Sequence, residues 1–293
     1  MQNNQAMSER TPTKHNHFAA LFGMHINVAR HTILRHAWRP GTYQYIDLNA
    51  GAGRVIYEDG TQGSTSGLKA VMKLTYLQEL DPPMLYHAHL IDNYAPNCET
   101  LRAHHQIQDN PDVTVYCGDN REVVQTISIP KGSLGLVSSD SNTLMGDLPI
   151  FDALAARPEF YRMDFLIYLS ASNYKRDRRA NDRELLADRL FRLKPYWYVQ
   201  EPYDKHQKTF LLGSNWDSFK RWQRLKFAPV RTDVGRGYLE RINLTEKERF
   251  LVHQAGLPIA PTLNISGIPA SEPCAPKLSS EAAEYASVAS SGE

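Results

Sequence analysis

The chain has 293 residues, of which 42% are hydrophobic, 10% aromatic and 22% charged, with a formal net charge of +1. This is the make-up of a folded globular protein; it excludes a chain that coats polyanions over its whole surface, though not a local basic patch. No apolar run reaches the ~18 residues of a membrane span, residues 1–14 carry no hydrophobic signal core, and Cys98, Cys117 and Cys274 lack the spacing of a disulfide framework or a cysteine zinc site.

In chain order, residues 1–17 are polar and expected to be flexible. An apolar stripe at helical spacing then runs through Phe18, Leu21, Phe22, Ile26, Ala29, Ile33 and Leu34 and stops at Arg39-Pro40-Gly41. Strands are expected at Tyr43–Leu48, Tyr86–Ile91, Val113–Cys117, Leu134–Ser139 and Phe165–Ser170. Helices are expected between and after them at Gly67–Leu80, Pro96–His105, Arg121–Ile127, Leu148–Arg157 and Asp182–Leu193. The rhythm then changes, because Tyr196–Gln200 and Thr209–Leu212 are close enough to pair as an antiparallel hairpin, with a helix expected at Trp216–Phe227.

The pattern predicts an α/β fold: a doubly wound, mostly parallel seven-stranded sheet with a C-terminal antiparallel hairpin, occupying residues 18–257. Residues 258–293 are rich in Pro, Ser and Ala and are expected to be a disordered tail.

The densest constellation is Asp47-Leu48-Asn49-Ala50-Gly51-Ala52-Gly53, where a strand ends in an acid and runs into Gly-x-Gly at the ligand edge of a parallel sheet. A dinucleotide fingerprint needs a small residue where Ile56 stands, which disfavours a nicotinamide-dependent oxidoreductase, and Gly67-Leu68-Lys69 has the wrong spacing for a phosphate loop. The next two strands end in Ile91-Asp92-Asn93 and Gly118-Asp119-Asn120, which places two more acid–amide pairs along the same edge. His87-Ala88-His89 lacks further ligands at metal spacing, so no metal site is expected.

An acid at each of three successive strand ends resembles the class I S-adenosylmethionine-dependent methyltransferases, over roughly Tyr43 to Gly213. The resemblance implies a Rossmann-like methyltransferase fold and S-adenosylmethionine as cofactor. Asp47, Asn49, Gly51 and Gly53 would surround its methionine portion, Asp92 and Asn93 its ribose, and Asp119 and Asn120 its adenine. The Gly/Ser/Thr-rich segment 54–67 also resembles the three-Cys-motif partner proteins, a group associated with bacteria and phages. The strand-four loop reads Asp140-Ser141-Asn142-Thr143 and lacks the Asp-Pro-Tyr-Gly often found there. Asp140 and Asn142 are nevertheless the candidate catalytic residues, although Asp140 could equally be a helix cap or turn residue.

Between Lys175 and Arg241 there are seventeen Lys or Arg against nine Asp or Glu. Lys175, Arg176, Arg178 and Arg179 follow strand five directly, where they could guide a nucleic acid or another polyanion; a solvated, salt-bridged surface is the alternative. Two functions follow: a cytoplasmic methyltransferase acting on such an acceptor, or a methyltransferase-like module without turnover that serves a protein partner in a mobile-element system.

Overall fold

The computed structural model describes residues 11–35, 41–57, 60–140, 144–171, 186–204, 207–217 and 222–243. Asn142, Lys175, Arg176, Arg178, Arg179 and the tail 258–293 lie outside the described residues.

Helix α1 spans Thr11–Arg35 and is followed by strand β1, Thr42–Asp47. The helix thus begins before Phe18 and takes in residues 11–17, which the sequence had placed in a flexible N-terminus; residues 1–10 lie outside the described residues. Pro12 suits a first helical turn, and His15 takes a buried place on the inner stripe that its polarity concealed. After the glycine loop come a small hairpin of β2 (Arg54–Ile56) and β3 (Gln62–Ser64), then α2, Ser66–Gln78. Next are β4 (Leu85–Asp92), α3 (Ala95–Arg102), β5 (Val113–Cys117), α4 (Asn120–Thr126) and β6 (Leu134–Ser139). Then follow α5 (Leu144–Ala155), β7 (Met163–Ser170), α6 (Leu186–Leu193), β8 (Tyr196–Gln200), β9 (Lys208–Ser214), β10 (Phe227–Pro229) and α7 (Asp233–Asn243).

The main sheet has the order β10-β8-β9-β7-β6-β1-β4-β5. Its centre, β7-β6-β1-β4-β5, is parallel, while β9 runs antiparallel to both β7 and β8. This is the expected doubly wound methyltransferase-like architecture with its antiparallel hairpin, widened at one edge by an eighth strand. That strand replaces the end of the helix expected at Trp216–Phe227: a single 3-10 turn at Gln223–Leu225 is stopped by Lys226 at φ 60°, so Phe227 pairs with Gln200 instead.

Both faces of the sheet are covered, which explains the continuous apolar run Phe165–Leu169 in β7. On one face Tyr43 and Tyr45 of β1 pack with Phe18, Phe22 and Ile26 of α1 and with Leu68, Val71 and Leu74 of α2. On the other, Ile46 and Phe165 pack with Phe151 and Leu154 of α5, Leu190 of α6 and Ile242 of α7. Each such fully buried side chain contributes roughly 1.5–3 kcal/mol. The middle of α1 is also pinned at the N-terminal ends of the strands: Tyr43 Oη lies 2.9 Å from His25 Nδ1, and His25 Nε2 lies 3.0 Å from Asp164 Oδ2. The first turn of α1 is thereby held at the opposite edge, where the functional candidates lie.

Candidate functional site

The C-terminal ends of β1, β4 and β5 enclose a cleft of about 340 Å³ lined by Leu48, Asn49, Asp92, Asn93, Asp119, Asn120, Arg121, Gly146 and Asp147. Five of the residues expected at a cofactor (Asn49, Asp92, Asn93, Asp119 and Asn120) thus share one hollow. They converge because neighbouring parallel strands end in register: Asp47 pairs with Leu90 of β4, and Asp92 with Cys117 of β5.

The glycine loop is built by backbone geometry. Gly51 and Gly53 have φ values of +66° and +78°, a region that side chains with a Cβ adopt only under strain. A Cβ on Gly53 would also come within 2.9 Å of Leu101 Cδ1. The Thr65 amide donates to the Gly53 carbonyl at 3.0 Å, closing the neck of the β2–β3 hairpin before α2 begins. The segment 54–64 is therefore a side excursion, which accounts for the long spacing between Gly53 and Asp92.

Asp92 does more than face the cleft. Its Oδ2 accepts the Gly51 amide at 2.9 Å, and its Oδ1 accepts the Tyr94 amide at 2.9 Å and Asn97 Nδ2 at 3.1 Å. A carboxylate offers about four lone-pair positions, so one acceptor position remains for a ligand rather than the pair that would grip a diol. Asp119 caps α4 by accepting the Arg121 amide at 2.8 Å, and Asn120 Nδ2 lies 3.4 Å from the Leu48 carbonyl oxygen.

Asp47 lies at 1% exposure and is not among the cleft-lining residues. Its oxygens accept the Tyr45 hydroxyl at 2.8 Å and the Asn49 amide at 2.9 Å. Burial pushes its pKa up to about 6 and nearby Asp140 adds to the rise, while the hydrogen bonds and Lys14 oppose it. Gly67 passes so close that a Cβ there would stand 3.0 Å from Asp47 Oδ2.

Asp140 is not among the cleft-lining residues, although it is bonded to one of them. Its backbone amide donates to Asn49 Oδ1 at 3.0 Å, and its carboxylate is held by Lys14 Nζ at 2.5 Å. The same ammonium lies 5.2 Å from the centre of the Tyr168 ring. The Tyr168 and Tyr203 hydroxyls stand side by side, and burial raises both phenols well above their ordinary range. His17 stacks on Tyr203 with ring centres 4.2 Å apart. The first turns of α1 therefore roof this side of the sheet edge, and Asp140 meets an ammonium instead of open space. His15, one residue on, lies 3.2 Å from Tyr57 Oη of the hairpin. Burial lowers its pKa to about 3, with help from Lys14 and Lys69.

Three residues of this region were not singled out in the sequence. Asp147, buried in the first turn of α5, is met by the Ser139 hydroxyl, which also lies 3.3 Å from Asn49 Oδ1. An acid in a first helical turn was its only local signal. Arg121 follows a legible cap, whereas Lys14 had no local signal at all. His87 and His89 gather no third ligand: among the described residues no three His, Cys, Asp or Glu side chains could hold a metal ion. His89 instead lies 3.1 Å from the Tyr116 hydroxyl, and burial lowers its pKa to about 4. No described helix is long and apolar enough to cross a membrane.

No family model matches the chain. No curated protein matches it either. Among solved structures it is similar to protein LPL1258 from Legionella pneumophila, at 11% identity and a TM-score of 0.48 over 71% of this chain and 90% of that one. It is also similar to a probable spermidine synthase from Corynebacterium glutamicum, at 13% identity and a TM-score of 0.43 over 88% and 81% of the two chains. A third similar structure is the METTL16 methyltransferase domain, at 12% identity and a TM-score of 0.36 over 64% and 65%. The fold assignment itself rests on the strand order and directions given above.

Proposed function

We propose that the protein is an S-adenosylmethionine-dependent methyltransferase. The observation that carries this reading is the convergence of Asn49, Asp92, Asn93, Asp119 and Asn120 from three strand ends on one cleft of about 340 Å³. The donor set fits a nucleoside. Asp92 keeps one acceptor position for a ribose hydroxyl, and Asp119 and Asn120 offer an acceptor and an amide to an adenine edge. The positive-φ turns at Gly51 and Gly53 would give the methionine portion a backbone-lined approach beside Asn49. Bound there, S-adenosylmethionine would supply a methyl group on a cationic sulfur. The chain's own part is to hold and orient, with carboxylates near the cleft favouring positive charge.

The acceptor proposed is a nucleic acid or another polyanion, guided by Lys175, Arg176, Arg178 and Arg179, with Asp140 and Asn142 facing it. The likeness of segment 54–67 to the three-Cys-motif partner proteins belongs to the same proposal. A second reading, a methyltransferase-like module that binds a protein partner without turnover, is favoured by one observation: Lys14 occupies the carboxylate of the candidate catalytic Asp140.

Titration of the full chain with S-adenosylhomocysteine tests the cofactor. Saturable one-to-one heat, shifted to about tenfold weaker affinity or beyond by Asp119→Ser, is expected; no heat at millimolar ligand would overturn both the enzyme and its cofactor. Given binding, transfer of a labelled methyl group to nucleic acid separates the enzyme from the module. Replacing Arg178 and Arg179 by Ala should flatten the salt dependence of that transfer.

A further inference from the structure

We propose that Cys98 and Cys117 form a thiol pair that a small-molecule disulfide closes into a protein disulfide, tying α3 to β5 next to Asp92, a residue of the cleft. Cys98 is fully buried on α3, and its Sγ lies 3.3 Å from the Asp92 carbonyl oxygen and 3.8 Å from the Tyr116 carbonyl oxygen. That second carbonyl belongs to the peptide bond leading into Cys117, so the buried sulfur touches the strand where Cys117 begins. Side chains alternate along a strand. Cys117 therefore shares its face with Val113 and Val115, which pack against the core that contains Leu101 of α3. Both cysteines thus lie in the seam between α3 and β5, a seam also pinned by Arg102 Nη2 donating to the Val115 carbonyl at 3.0 Å.

The two thiols differ in the way a stepwise exchange requires. Cys117 is exposed and Cys98 is buried. Burial and the neighbouring Cys117 sulfur push the Cys98 pKa up to about 12, so Cys98 stays a thiol and is not the first to react. With oxidised glutathione as oxidant, the Cys117 thiolate attacks one glutathione sulfur, and the glutathione S–S bond breaks as the mixed disulfide forms. Cys98 then attacks Cys117 Sγ, and its proton passes to the departing sulfur, so the second glutathione leaves as a thiol. In sum, two protein thiols become one disulfide, and one oxidised glutathione becomes two reduced ones.

The bond would act on the cleft through Asp92, which lines it. Cys98 gives up its S–H donor to the Asp92 carbonyl, leaving the Gly118 amide, at 3.0 Å, as that oxygen's partner. Asn97, the residue before Cys98, donates to the Asp92 carboxylate. The exchange depends on the seam alone and not on what the cleft binds.

The test uses the full chain carrying Cys274→Ser, incubated with oxidised glutathione, alkylated, and digested without reductant. The expected result is a Cys98 peptide joined to a Cys117 peptide, lighter by two hydrogens than the separate peptides and parted again by dithiothreitol. The Cys117→Ser variant should leave Cys98 unreacted and alkylated only after unfolding. Glutathione resting on Cys117 while Cys98 stays free would overturn the proposal, and so would two cysteines that remain free throughout.

Discussion

The ammonium of Lys14, in the first turn of α1, lies 2.5 Å from Asp140 Oδ2 at the end of β6, across 126 positions of sequence. The two side chains are 17% and 23% exposed, and Asp140 is close enough to raise the pKa of buried Asp47. Lys14→Met should therefore leave two carboxylates facing each other and lower stability by roughly 1–3 kcal/mol. Adding Asp140→Asn to Lys14→Met should restore part of that loss. Urea unfolding of the four proteins in the cycle measures it, and a double variant no more stable than Lys14→Met would show that the pair is not coupled.

Two of the cleft acids, Asp92 and Asp119, should separate by what else they hold. Asp119→Ser keeps a good N-cap for α4, so stability should change by less than about 0.5 kcal/mol, while the affinity for S-adenosylhomocysteine falls about tenfold or more. Asp92→Asn turns an acceptor towards the Gly51 amide into a donor and should lose both affinity and roughly 1–2 kcal/mol of stability. Calorimetric titration beside thermal melts decides it; an Asp92→Asn protein as stable as the parent would remove the latch to the glycine loop.

Acidity should act on two buried groups in opposite directions. His15 has its folded pKa lowered to about 3, so its contribution to stability is present above the unfolded value of 6.5 and is lost as pH falls towards 3. Asp47 has its folded pKa raised from 3.8 to about 6, so its ionisation costs stability as pH rises from about 4 to 6, and acidification through that window relieves the cost. His15→Gln should blunt the loss of stability between pH 6.5 and 4. Asp47→Asn, which lacks the relief, should steepen it. Unfolding free energies at several pH values for the three proteins give the slopes, and equal slopes would mean that neither group is buried as described.

Two glycines with φ of +78° should differ in their response to alanine. At Gly60 a Cβ meets open space, whereas at Gly53 it meets Leu101 at 2.9 Å. Gly60→Ala should cost only the backbone strain, about 1 kcal/mol. Gly53→Ala should cost more and should also weaken nucleoside binding. Melting temperatures of the pair check this, and equal losses would argue against close packing under the glycine loop.

Much of this fold could be read in the sequence because β1, β6 and β7 are buried along most of their length, so that short strand segments rich in apolar residues alternate with helical stripes. Helix α7 escaped because Gly235 and Gly237 dilute its pattern. Gly235 is there for close approach, since a Cβ on it would stand 2.1 Å from the Pro229 carbonyl oxygen. At the site, the acids at the ends of β4 and β5 were visible because strand ends in a parallel sheet lie along one edge. The partners of those acids were not visible. Whether Asp92 binds a ligand or the Gly51 amide depends on the direction of one backbone N–H, and Lys14 reaches Asp140 only because α1 crosses the sheet. His15 illustrates the remaining difficulty: a polar residue on a buried stripe breaks the pattern that announces a helix.

The hydrogen bond between Thr65 and Gly53 has a practical corollary. A polypeptide that departs and rejoins at almost the same point can be lengthened at its exposed tip with little effect on what lies on either side. The exposed turn of the excursion is therefore a natural splice point: a spectroscopic tag or an affinity handle could be grafted at Gly60, where added atoms meet open space, while Tyr57 keeps its place against His15 and the glycine turn and the start of α2 keep theirs.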